Sequence, residues 1–164
     1  MQERVFHTLA PLYGSWSRVL VLGTMPSPKS REAGFYYAHP QNRFWSALAA
    51  VYGEETPQGT QARAAFAQRH GIALWDVLAS CVITGAADST IREAEPNDIA
   101  ALLAETGIHT VFTTGKTAYS LYKKYCFGVP EAICLPSPSA ANCAVSMEKL
   151  TEAYRAIKIC TDGE

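Results

Sequence analysis

Two apolar runs, Arg18-Val-Leu-Val-Leu-Gly23 and His109-Thr-Val-Phe-Thr-Thr-Gly115, constrain this chain most, because each ends on a glycine with a helical pattern beyond it. Runs of this length without polar alternation read as strands buried on both faces, the habit of parallel sheets. Ile133-Cys-Leu135 is a third, shorter strand stopped by Pro136. The run Ile72-Ala-Leu-Trp-Asp-Val-Leu78 fits a strand or a helix equally well.

Helices lie between these runs. Asn42 to Tyr52 places Phe44, Leu48, Val51 and Tyr52 on one face and stops at Gly53. Gln61 to Arg69 reads as a polar-faced helix, and Asn97 to Glu105 as one that starts beside Pro96 and ends before Gly107. Lys116 to Tyr125 follows the second strand directly, and Ser146 can cap a last helix with Met147, Leu150, Tyr154 and Ile157 turned inward. Strand–helix alternation of this kind predicts an α/β fold, with a mostly parallel central sheet between helical layers. Binding sites in such folds lie beyond the carboxyl ends of the strands.

Two loops fall there. The first runs Gly23-Thr-Met-Pro-Ser-Pro-Lys-Ser-Arg31 into Gly34-Phe-Tyr-Tyr-Ala-His-Pro-Gln-Asn-Arg-Phe-Trp45. Its prolines stiffen the backbone, so presenting its amides costs less entropy. Tyr36 and Tyr37 offer flat faces to a base, Lys29, Arg31 and Arg43 suit phosphates, and Asn42 can orient a water or a base edge. The plainer alternative is a surface loop whose aromatics pack on the core. The second loop, Leu135-Pro-Ser-Pro-Ser-Ala-Ala-Asn142, offers hydroxyls and backbone N–H groups to phosphates and a tip small enough to enter a groove. A helix-capping turn explains it as well.

Other polar residues have structural readings that compete with chemical ones. His39 could donate to a departing base, but the His-Pro pair fits loop shaping better. Asp76 and Asp88 are the obvious carboxylates, and a turn or cap suits Asp88. Lys116 fits a phosphate or solvent better than a Schiff base.

Several function classes drop out. The five cysteines form neither a CxxC pair nor a Cys/His cluster at zinc spacing, so they read as reduced small hydrophobes. Neither a Walker loop, a GxGxxG nor a GxSxG elbow is present. No apolar run is long enough to span a bilayer, and no signal peptide precedes the first strand, so no membrane partner and a cytoplasmic location are expected. The net charge of −1 calls for a local basic patch, not a coat of positive charge, if the partner is a nucleic acid.

From Val19 to Ala156 the motifs occur in an order that resembles a known family. Gly23-Thr-Met-Pro through Ala38-His-Pro-Gln-Asn-Arg-Phe-Trp45, with Leu135-Pro-Ser-Pro-Ser and Val145 to Arg155, looks like the mismatch-specific uracil-DNA glycosylases. The pairing of Tyr36-Tyr37 and Asn42-x-Phe-Trp with Leu-Pro-Ser-Pro-Ser-Ala-Ala-Asn is most similar to the hypoxanthine-DNA (deoxyinosine) branch of that superfamily. The resemblance implies a single three-layer α/β/α glycosylase domain over residues 1–164. It implies excision of hypoxanthine or uracil by hydrolysis, without metal or cofactor.

It also implies site residues. Tyr37 falls on the aromatic that stacks on the flipped base, and Thr24, Met25, Pro26 and Ser27 form the stretch whose backbone N–H groups, Pro26 having none, border its carbonyl edge. Ser137, Ser139, Ala140, Ala141 and Asn142 fall on the loop that enters the minor groove and grips phosphates. Met25 departs from the mismatch-specific pattern, which has there an asparagine that positions the attacking water; a thioether cannot do so. Asn42 is then the candidate for that role. Ser137 likewise stands where the mismatch enzymes carry an asparagine that pairs with uracil. Damaged double-stranded DNA is the expected partner of a monomer, with single-stranded DNA as the alternative. A non-catalytic nucleic-acid or nucleotide-binding α/β module is the reading from another class.

Overall fold

The computed structural model describes residues 2–85 and 87–162. Its centre is strand β2 (Val19–Gly23), buried along its whole length. β2 runs parallel to β3 (Ile72–Asp76) on one side and to β6 (Thr110–Thr114) on the other, and β7 (Ala132–Leu135) completes a four-stranded sheet in the order β3-β2-β6-β7. The side-chain period of two divides the strands cleanly. Val19, Val21, Leu74 and Phe112 point into one core, and Leu20, Leu22, Ala73 and Val111 into the other.

Different partners cover the two faces. Over the first lie α2 (Phe44–Tyr52), α3 (Gly59–Arg69) and α6 (Met147–Asp162), which bring Phe44, Trp45, Leu48, Phe66, Leu150, Tyr154 and Ile157 to the core. Over the second lie α4 (Ile99–Ala104) and α5 (Lys116–Tyr125), with Ile99, Leu102, Ala118 and Tyr122 facing inward. A second sheet shares this face: β1 (Gln2–Phe6), β4 (Leu78–Thr84) and β5 (Arg92–Pro96) pair antiparallel in the order β1-β4-β5. Val5, Leu78, Cys81 and Ile83 from that sheet close the core.

The ambiguous run over 72–78 is therefore the junction of two strands. β3 ends at Asp76 and β4 starts at Leu78, so the chain passes from one sheet to the other across Val77 alone. Boundaries elsewhere shift by a residue or two. The helix expected from Asn42 begins at Phe44, with the Asn42 side-chain oxygen accepting the Phe44 amide at 2.9 Å. The helix expected from Asn97 begins at Ile99, capped by Asp98. Ser146 caps α6 as expected, accepting the Lys149 amide, whereas Met147 in its first turn is exposed. The first loop also contains a helix not expected from the sequence, α1 (Pro28–Ala33), which Ser27 caps and Pro28 starts.

Phe112 is fully buried at the middle of β6. Phe112→Ala should cost about 3–5 kcal/mol of stability, read from urea unfolding, because the sheet and the helices packed on that face cannot collapse into the space left.

Candidate active site

All four parallel strands empty into one cavity. Gly23, Asp76, Thr114 and Leu135, the last residues of β2, β3, β6 and β7, line an open cavity of about 1180 Å³, ample for a nucleoside. The two Pro/Ser loops form its walls. Thr24, Met25, Pro26, Ser27, Lys29 and Arg31 come from the first, and Ser137, Ser139, Ala140, Ala141 and Asn142 from the second. Tyr37 and Asn42 line it as well. Among the site residues expected from sequence, Arg43 alone does not.

Arg43 holds the walls together instead. Its Nη1 donates to the Val145 carbonyl at 2.6 Å, and Nη2 donates to the carbonyls of Asn142 at 3.1 Å and Ser139 at 3.5 Å. Its backbone N–H donates to the Pro138 carbonyl. The expectation of a direct phosphate contact at Arg43 gives way to this clasp, because both terminal nitrogens of the guanidinium already reach backbone carbonyls and Nε is buried away from the cavity without a partner. The second loop is further shaped by its own serines. Ser137 Oγ accepts the Ser139 amide, Ser139 Oγ accepts the Ala141 amide, and Asn142 Nδ2 donates to the Ser137 carbonyl at 3.0 Å. What remains exposed is the tip, Ala140 and Ala141.

Tyr37 is fixed on three sides. Its ring stacks on Phe44 with centroids 3.8 Å apart, and its hydroxyl lies 3.0 Å from that of Thr114. Its backbone sits at φ 53°, a left-handed conformation that a tyrosine rarely adopts and that surrounding contacts must impose. Burial and the nearby Asp76 raise its hydroxyl far above the ordinary tyrosine range, so it stays protonated. His39 shapes the same loop: its Nδ1 accepts the Gln41 amide and its carbonyl accepts the Asn42 amide.

In the sequence Asp76 stands out only as an obvious carboxylate, and nothing marks His7. The structure joins them at the cavity floor, with His7 Nε2 2.9 Å from Asp76 Oδ2 and both side chains almost closed to solvent. Gly23 makes the room. A Cβ at that position would lie 2.6 Å from Asp76 Oδ1, 3.3 Å from the Tyr37 hydroxyl and 3.6 Å from that of Thr114, so three polar groups converge where only a glycine fits. Asp76 could have been suspected from its place at the end of an apolar run. His7 left no local signal, because its partner is distant in sequence.

Burial raises the Asp76 carboxyl above its ordinary value, and the hydrogen bond from His7 offsets this only in part. The sign follows directly. A carboxyl whose folded value lies above the unfolded value of about 4 binds more protons in the folded state, so its contribution to stability falls as pH rises through that window. Asp76→Asn should therefore melt higher than the wild type at neutral pH, with the gap closing as pH drops toward about 4. A gap that stays constant with pH would show that Asp76 is not held against its ionisation.

Relatives agree with this architecture. Residues 11–158 match the family model of the uracil DNA glycosylase superfamily. A hypoxanthine DNA glycosylase from Methanosarcina acetivorans is 30% identical over 139 residues, covering 83% of this chain and 87% of that protein. A hypoxanthine DNA glycosylase from Methanosarcina barkeri is 32% identical over 93 residues, 56% of this chain and 59% of that protein. The solution NMR structure of a candidate uracil DNA glycosylase from Methanosarcina acetivorans superimposes with a TM-score of 0.76 at 24% identity, over 96% of this chain and 99% of that one, a likeness of fold. With the cavity at the ends of four parallel strands and a family match running from Pro11, ahead of β2, into the last helix, the chain belongs to the uracil DNA glycosylase superfamily.

Proposed function

We propose that this protein is a monofunctional DNA glycosylase that flips a deaminated base, hypoxanthine before uracil, out of duplex DNA and hydrolyses its N-glycosidic bond. The cavity carries the reading: two stiff loops, one aromatic wall and one small exposed tip surround a space ample for a nucleoside. Water adds to C1′ of the sugar as the base leaves with the bonding electrons and takes up a proton, so the products are a free base and an abasic site. The sugar passes through an oxocarbenium-like state, and a deaminated purine is a tolerable leaving group. Extruding a mispaired base costs only a few kcal/mol, which favours lesions over normal pairs.

Each residue has a part in this reading. The free face of Tyr37 stacks on the base, and the backbone N–H groups of Thr24, Met25 and Ser27 meet its carbonyl edge. Asn42 holds the water: its Oδ1 keeps a second lone pair beside the bond from the Phe44 amide, and its Nδ2 has no partner among the described residues. The tip at Ala140 and Ala141 enters the groove, while Ser137, Ser139 and neighbouring amides face phosphates. Lys29 and Arg31 supply the local positive charge. The chain acts as one domain and as a monomer, without metal or cofactor.

A panel of duplexes carrying deoxyinosine, deoxyuridine or deoxyxanthosine, treated with alkali after incubation, tests the reaction itself. Strand breaks at deoxyinosine are expected; intact strands throughout leave a binding module. Asn42→Ala should still bind lesion DNA yet lose single-turnover excision by ~100-fold, the scale of a positioned catalytic group. Loss of the bond to the Phe44 amide should also lower stability by about 0.5–2 kcal/mol. Excision near the wild-type rate, with stability alone reduced, makes Asn42 a helix cap and nothing more. Replacing Lys29 and Arg31 together should flatten the plot of log K against log salt by about one unit for each phosphate left without its cation. An unchanged slope places the DNA elsewhere.

A further inference from the structure

The roles above leave Asp76 without a task, although among the described residues it is the one buried carboxylate that lines the cavity. Its two oxygens differ. Oδ2 accepts from His7 Nε2, and the other nitrogen of that ring, Nδ1, accepts the Leu9 amide at 3.3 Å. A ring that accepts at Nδ1 carries its proton on Nε2, so His7 serves Asp76 as a donor and cannot turn over to become an acceptor. Oδ1 has no hydrogen-bond partner among the described residues and lies over Gly23. The hydroxyls of Tyr37 and Thr114, which border the same glycine, pair with each other, and that of Thr114 also donates to the Leu22 carbonyl, so neither is committed to Oδ1.

Deamination changes the edge of a purine in one decisive way. In adenine N1 is an acceptor, whereas in hypoxanthine it carries a hydrogen and becomes a donor. We propose that Asp76 is the residue that reads this change, its Oδ1 accepting the ring N–H of the flipped base, with His7 as the positioning residue that turns the carboxylate toward the cavity. The assignment rests on the glycosylase reading and deepens it. An acceptor-only oxygen binds hypoxanthine through N1–H and repels the N1 lone pair of adenine, so discrimination comes from attraction and repulsion together. Keeping a carboxylate where burial opposes its ionisation fits a group retained for recognition. His7 lies ahead of the span 11–158 that matches the superfamily, on a segment held by β1 and by the bond from its own amide to the Ala79 carbonyl. The small antiparallel sheet thus contributes to base choice in this chain.

The test compares single-turnover excision of deoxyinosine with that of deoxynebularine, a purine whose N1 has a lone pair and no hydrogen, in otherwise identical duplexes. The wild type should prefer deoxyinosine. In Asp76→Asn the amide oxygen must accept from His7, which leaves the NH2 group facing the base and opposing N1–H. That variant should lower the deoxyinosine-to-deoxynebularine ratio by about tenfold or more, the range of a hydrogen bond to a charged group. Asp76→Ala, which offers neither donor nor acceptor, should bring the ratio toward one. His7→Leu should lower the ratio in the same direction, and His7→Gln, which can still donate to Oδ2, should restore part of it. A wild-type ratio in both Asp76 variants, with excision by the wild type intact, overturns the assignment and spares the glycosylase reading. No excision of any lesion by the wild type overturns the glycosylase reading and, with it, the assignment.

Discussion

Everything at the site hangs on the parallel pairing of β2 with β3 and β6. That register sets Gly23 beside Asp76 and Leu22 beside Thr113, so the strands end level and their loops spring from one rim. A strand hydrogen-bonded on both edges and buried on both faces has no freedom to slip, since a shift of one residue would exchange the two cores. The apolar continuity of Val19 to Leu22 is thus what fixes the positions of polar atoms several residues later.

The second constraint is where the chain changes sheet. With only Val77 between β3 and β4, the carboxylate of Asp76 is caught at the seam, reached by the parallel strands from one side and by the N-terminal segment from the other. Asn97 seals the same seam, its Nδ2 donating to the carbonyls of Asp76 and Leu78. The floor of the cavity is therefore framework, while its walls are loops. That division suits a site that must hold a base firmly and still admit DNA from outside.

How much of this the sequence disclosed follows from what each element buries. β2 and β6 were legible as unbroken runs ending on a glycine, α5 from its place after the second of them, and α2 and α6 from inward residues at helix spacing. β5, Arg-Glu-Ala-Glu-Pro, was not, since it is an edge strand with mostly exposed side chains and no apolar period. β1 is similar, with Val5 as its one buried residue. The two loops were visible through their Pro/Ser composition, and the residues expected there line one cavity, Arg43 excepted. Helix α1 had a readable start in Ser27-Pro28, masked by the loop-like sequence around it. The His7–Asp76 bond was out of reach, because it joins residues 69 apart and neither has a local pattern to announce the other.

Arg43 carries a further consequence. Its guanidinium is held by backbone carbonyls and takes part in no ion pair among the described residues, so its charge is uncompensated yet stationary. A lysine on a flexible stem must give up rotamer freedom whenever a polyanion arrives. A guanidinium already locked beneath the Ala140–Ala141 tip has no such freedom left to lose, and at ordinary salt its field extends over roughly the 8–10 Å of the Debye length. A chain of net charge −1 thereby keeps a standing positive potential under the exposed tip of its second loop.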